Sequence, residues 1–183
     1  PAGLVNDQDN GDTAQFLTAP GIPENWSPGT TLQLSGPLGK GFQLPERLHR
    51  LALVALAESA ARLLPLAQLG LARGAEVALF TDLPLPQLSS DVEALPLKSL
   101  TESRAWADFM ALDLRLEDLG NLRNWLGLQV NDRLSCPAQA LIVAPMPCGG
   151  VGECAVCAVP TRRGKWKLAC KDGPVFDLNK LNW

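Results

Sequence analysis

The sequence predicts an α/β protein: a small doubly wound parallel sheet, with a reduced β segment before it and a small β-rich cysteine module after it. Three observations carry this expectation. Near-continuous apolar runs of strand length recur between residues 51 and 144, as a parallel sheet covered on both faces requires. Helical patterns alternate with those runs, which is the rhythm of βαβ winding. Four of the five cysteines then fall between residues 148 and 170, after the last long strand. The expected division is 1–43 for the β segment and linker, 44–144 for the α/β scaffold, and 145–183 for the cysteine module.

The elements follow in order. Residues 1–15 are rich in Asp, Asn and Gly and are expected to be loose. From Phe16, short β-like pieces are separated by Pro and Gly. Pro28-Gly29 reads as a turn into an alternating strand, Thr30–Leu34, which runs into the glycine-rich connection Gly36-Pro37-Leu38-Gly39-Lys40-Gly41-Phe42. Leu51–Ala57 is the first buried strand. Ser59–Arg73 carries apolar residues at roughly helical spacing (Leu63, Leu66, Ala67, Leu69), with Gly74 as its C-cap. Pro65 marks the start of the regular helix or a kink in it. Glu76–Phe80 and the short Asp91–Leu95 are the next strands, followed by Trp106–Leu114, a helix at Leu116–Leu126, and Ala138–Ala144. In the tail, Ala155–Pro160 and Lys165–Ala169 read as a hairpin turning at Thr161–Gly164.

Cys148, Cys154, Cys157 and Cys170 stand in the frame Cys-x5-Cys-x2-Cys-x12-Cys. A tight loop of thiolates with one returning thiolate is how a chain holds a [2Fe–2S] cluster, and the plant-type spacing differs by one residue in its first gap. With four thiolates such a cluster carries a charge of about −2, or about −3 after one electron. Burying that anion requires converging dipoles. Gly149, Gly150 and Gly152 give the first gap the freedom to turn its N–H groups inward. Cys154 and Cys157 can share one iron or lie at one rim. Competing readings are a structural zinc site, which usually draws on two short cysteine pairs, and disulfide or dithiol chemistry at Cys154-x2-Cys157. Cys136, before Pro137 and an apolar strand, reads as a buried, unreactive thiol rather than a ligand.

Composition excludes several classes. A net charge of −3 makes no case for nucleic-acid binding. The apolar runs fall far short of the roughly 20 residues of a membrane span. No signal segment opens the sequence, and clustered thiols without one suit a reducing cytoplasm. From Cys148 onward six basic residues face three acids, so a basic module sits on an acidic body. Those cations either offset a cluster's charge, guide docking to an acidic redox partner, or merely solvate a hairpin. His49, beside Arg47 and Arg50, reads as an exposed loop residue. Trp166, four positions before Cys170, is expected either to shield a cluster or to pack within the hairpin. No Ser/His/Asp grouping or phosphate loop is present, and no residue is assigned to catalysis.

The stretch Pro147–Cys157, with Trp166–Phe176 and its Cys170-Lys171-Asp172-Gly173-Pro174-Val175-Phe176, resembles the iron–sulfur segment of the dihydroorotate dehydrogenase electron transfer subunit family. Gly36–Phe42 resembles that family's linker between flavin barrel and nucleotide domain. The resemblance implies a ferredoxin–NADP reductase-like plan: FAD on a barrel, a nicotinamide dinucleotide on an α/β domain, and a [2Fe–2S] cluster that passes electrons to the FMN of a partner. It carries over the four cysteines as cluster ligands, and it implies a flavoenzyme partner of pyrimidine biosynthesis in a hetero-oligomer. Two departures put FAD and NAD in doubt. The flavin motifs are missing, with no tyrosine in the chain and only some 35 residues ahead of Gly36. The glycines expected after the first strand are replaced by Ala55-Leu56-Ala57-Glu58-Ser59-Ala60-Ala61-Arg62, where side chains fill the approach of a pyrophosphate and Glu58 repels it. The expectation is therefore a one-electron relay on a retired nucleotide scaffold. The alternatives are a reductase subunit retaining flavin with help from another chain, and a zinc module for assembly.

Overall fold

The computed structural model describes residues 3–9, 12–18, 23–32, 38–85, 87–103, 105–129 and 132–183. The chain opens with an antiparallel hairpin, β1 (Gly3–Asp9) and β2 (Asp12–Thr18), in place of the loose start expected from composition. Between those strands the sequence reads Asn-Gly, the dipeptide that favours two-residue hairpin loops, a signal that a count of polar residues overlooks. Of the strand expected at Thr30–Leu34, residues 30–32 are not extended into any sheet, and residues 33 and 34 lie outside the described residues.

The central sheet is built from β3 (Arg50–Ala55), β4 (Glu76–Phe80), β5 (Val92–Leu95), β6 (Phe109–Arg115) and β7 (Ala138–Val143), all parallel. The tail then forms a short hairpin, β8 (Ala158–Pro160) with β9 (Trp166–Leu168), and returns as β10 (Val175–Asp177), antiparallel to β7. The strand order is β10-β7-β6-β3-β4-β5. The chain thus starts in the middle, winds outward through β4 and β5, and returns through β6 on the other side of β3. That reversal between β3 and β6 makes the sheet doubly wound and opens a crevice at their carboxyl ends. β10, three residues long, is too short for periodicity in the sequence to reveal it.

Alternation along the strands builds two cores. Leu51, Leu53, Val77, Leu79, Phe109 and Ala111 face one side, where α1 (Leu64–Ala72) packs through Leu66, Ala67 and Gly70. Gly70 has no room for a side chain: a Cβ would stand 2.8 Å from Leu51 Cδ2. Pro65 sits in the first turn of α1, where its missing N–H is harmless, and a 3-10 turn, Ala60–Leu63, leads into it. Gly74, at φ 76°, ends the helix as expected. On the other face Ala52, Val54, Phe80, Met110, Leu112 and Leu114 pack with Leu100 of α2 (Leu100–Ser103) and Leu122 of α3 (Leu122–Trp125). The helix expected over Leu116–Leu126 is mainly a 3-10 turn, Leu116–Asn121, with only α3 as regular helix. Gly120-Asn121 in its middle is a poor α-helical pair. Cys157, Val159, Ala169, Cys170, Phe176, Leu178 and Leu181 belong to this second core. The cysteine-bearing tail is therefore packed into the sheet's own interior.

Candidate metal centre

β7 delivers the chain to the cysteine loop, and the loop turns through backbone that L-residues rarely adopt. Gly149, Gly150 and Gly152 have φ of 65°, 85° and 82°, and Ala155 is at 55° without the licence of a glycine. The expected strand Ala155–Pro160 starts only at Ala158 for that reason. The turn brings N–H groups round to one sulfur. The amide of Gly152 above all, then the Cys154 thiol and the amides of Cys154 and Glu153, draw the Cys148 thiol down to about 6. Backbone donors and the Cys154 thiol thus favour the ionised form of the Cys148 thiol.

The four thiols stand as two pairs. Cys154 donates to Cys148 at the solvent side, where Cys154 is exposed and Cys148 half-buried. Cys157 and Cys170 are 1% and 2% exposed, with their sulfurs 3.6 Å apart. That separation is far beyond the roughly 2.05 Å of a disulfide, and all five cysteines are free. Burial, then the neighbouring Cys157, pushes the Cys170 thiol up. Cys154 thus contacts Cys148, and Cys148 in turn is near enough to Cys170 to act on it electrostatically. Among the described residues no three His, Cys, Asp or Glu side chains gather round one point. Cys136 is half-buried against the core, and burial raises its pKa, as suits an inert thiol.

Two sequence motifs that looked independent meet beside this loop. Lys40 of the linker donates its N–H to the Gly173 carbonyl, and its own carbonyl accepts from Val175 at 3.2 Å. Leu38 lies so close to Gly150 that a Cβ there would come within 2.6 Å of its Cδ1. Asp172 holds the turn after Cys170: it accepts from the Leu168 amide at 3.0 Å and the Lys167 ammonium at 2.9 Å, which keep its carboxyl low. Leu38, Lys40 and Asp172 were present in the motifs as letters without roles; only long-range pairing supplies the roles. Trp166 overturns both expectations for it. The residue is 66% exposed, so it does not cover the thiols and is not buried within the hairpin. His49 is exposed, as expected.

Residues 144–182 match the family described as the iron-sulfur cluster binding domain of dihydroorotate dehydrogenase B. The tail is thus similar to the iron–sulfur domain of that family. No curated protein matches the chain. Among solved structures, one described as the NADH-dependent reduced ferredoxin-NADP oxidoreductase of flavin-based electron bifurcation shares the fold, with a TM-score of 0.61 and 17% identity. The likeness covers 83% of this chain and 60% of that one, so this chain spans less than two thirds of its length.

Four thiols, one pair backed by amide donors and the other buried, are the donors an iron–sulfur cluster would draw on in this tail. The opposite holds at the crevice where β3 ends. Ser59 caps the 3-10 turn by accepting from the Ala61 amide at 3.2 Å, and Ala60 and Ala61 are wholly buried. Arg62 reaches back to Glu58 at 3.0 Å and to Asp113 at 3.6 Å. Asp113 lies opposite Ala55 at the end of β6, is 0% exposed, and accepts from the Leu56 amide at 3.2 Å. Burial, only partly opposed by Arg62, raises its carboxyl to about 6. Side chains thus occupy the first loop, and the cation there already has two carboxylates of its own. No helix among the described residues is long and apolar enough to cross a membrane.

Proposed function

We propose that this protein is an electron-transfer subunit in which Cys148, Cys154, Cys157 and Cys170 hold a [2Fe–2S] cluster and pass single electrons to or from a flavoenzyme. Gly149, Gly150 and Gly152 let the loop's amides face the sulfur of Cys148. The observation that carries the reading is the four-cysteine tail, similar over residues 144–182 to an iron–sulfur cluster binding domain, whose loop glycines at positive φ let backbone N–H groups turn toward the Cys148 sulfur. When bound, the cluster would supply one-electron chemistry; the chain's own residues fix the thiolates and exclude water from the Cys157 and Cys170 side.

The sheet then acts as a scaffold with no dinucleotide of its own. Support comes from the first loop, where buried alanines and the Glu58–Arg62–Asp113 cluster stand in place of open backbone. The partner is a flavin-bearing catalytic subunit, of the dihydroorotate dehydrogenase kind by family, in a cytoplasmic hetero-oligomer. Metal, sulfide and flavin analysis of anaerobically purified protein tests this. The expected result is about two irons and two sulfides per chain and no flavin. One zinc per chain overturns the cluster, whereas bound FAD or a tightly held nicotinamide dinucleotide overturns only the retired scaffold.

A further inference from the structure

A groove of about 810 Å³ runs between the linker, the outer edge of the sheet at β10, and the β8–β9 hairpin. Lys40, Arg162, Arg163, Lys165, Lys167 and Lys180 converge on it. The chain as a whole is acidic, with 16 basic residues against 19 acids, so six cations round one concavity run against the general balance. Two carboxylates share the groove, and each already has a lysine: Asp172 holds Lys167 at 2.9 Å and Asp177 holds Lys180 at 3.9 Å. Lys40, Arg163 and Lys165 make no salt bridge among the described residues. Lys165 and Lys167, two apart on the hairpin, share the groove face, which places the exposed Trp166 on the other.

We infer that this groove is a docking surface for an acidic face of the redox partner. The chemistry selects a protein surface over a small phosphate ligand. Phosphate sites use inward-facing backbone amides. Here those amides are engaged: Thr161 donates to Lys165 O at 2.9 Å, Arg162 to Lys180 O at 3.1 Å, and Gln43 to the Gln139 side chain at 2.9 Å. What remains is a set of point charges on long stems over an open, partly apolar floor that includes Val175 and Phe176. That arrangement steers and registers an extended acidic surface. The position is also useful. β8 begins one residue after Cys157 and β9 ends two before Cys170, and three-residue strands are about 10 Å long. A partner seated on the hairpin lies about that far from the buried thiol pair.

The inference deepens the proposed function, yet its test does not need the cluster. Oxidised flavodoxin, a strongly acidic electron-transfer flavoprotein, serves as the probe, titrated against the protein as purified at 20 and 200 mM salt. The expected result is binding that weakens about tenfold between those salt levels. Arg163→Glu with Lys165→Glu weakens low-salt binding by about tenfold or more and removes most of the salt dependence. The milder Arg163→Gln with Lys165→Gln gives an intermediate loss if the reversal disturbs folding. Arg47→Glu, at an exposed arginine outside the groove, leaves binding unchanged. Equal loss in the Arg47 variant, no loss in either groove variant, or tighter saturable binding of inorganic pyrophosphate than of flavodoxin overturns the inference. Iron content measured on the same samples reports separately on the cluster.

Discussion

Two loops leave the same end of the parallel sheet, one after β3 and one after β7, and they treat an anion in opposite ways. After β3 the residues are alanines and a capping serine, the backbone closes into a 3-10 turn, and the local cation is neutralised by Glu58 and Asp113. After β7 the residues are glycines at positive φ, and the freed amides converge on the Cys148 sulfur. Both positions lie where α/β sheets usually bind ligands. The difference teaches that an anion site depends on glycines at a few positions, and that the sheet folds as well after β3, where there are none. Leu51, Leu53 and their neighbours hold the sheet together whatever the loops contain.

The sharpest way to break this comparison is to remove a thiol. Cys157→Ser, at a buried position in the second core, should abolish visible absorbance and iron retention on anaerobic purification. Cys136→Ser should change neither. Retained colour in the first variant, or bleaching in the second, means that the wrong thiols have been chosen. Loss should be essentially complete because a serine hydroxyl is a poor substitute for a soft thiolate donor at a buried position.

Next in size is the first loop. Asp113 holds its proton more tightly folded than unfolded, with a pKa of about 6 against 3.8, and burial is the main cause. The favourable contribution of such a group is complete below pH 3.8 and is lost as pH rises through about 6. The shift corresponds to roughly 3 kcal/mol. Asp113→Asn, always neutral, should therefore match the parent near pH 4 and exceed its stability by about 2 kcal/mol at pH 7.5. Arg62 keeps Glu58 as a partner in that variant. Denaturant unfolding at the two pH values decides it; a variant less stable at pH 7.5 would mean that the Arg62 pairing outweighs the desolvation of the carboxylate.

The two loops also differ in how much of them the sequence reveals. The absence of glycine between Ala55 and Arg62 is visible as letters, and so is the reason it matters. Asp113 is not: it sits in an apolar strand fifty residues downstream of Arg62, and only the parallel pairing of β3 with β6 brings it to Ala55. The same holds in the tail. Cysteine spacing and loop glycines are local and legible, whereas the contact of Cys148 with Cys154 follows only from the conformation of the intervening glycines. The clamp of Lys40 on Gly173 and Val175 joins segments more than a hundred residues apart. The main strands were legible because their apolar runs are long. β10 and the 3-10 turns were not, being too short for periodicity to show.

The smallest effects sharpen the comparison most, since they ask whether the cysteine loop depends on its backbone as the first loop does not. Gly152→Ala places a Cβ at φ 82° and pushes it against the Lys171 side chain. That lysine is flexible and can move, so the penalty is mainly conformational, about 1–2 kcal/mol. Thermal unfolding should register it, along with several-fold faster loss of iron. Ala155→Gly is the converse. Ala155 already occupies left-handed space at φ 55°, so glycine removes strain there while loosening the unfolded chain. The two terms oppose, and the net gain should be no more than about 0.5–1 kcal/mol. A clear loss of stability on Ala155→Gly would show that the methyl group has a packing role, and that the loop is shaped by its side chains as well as by its glycines.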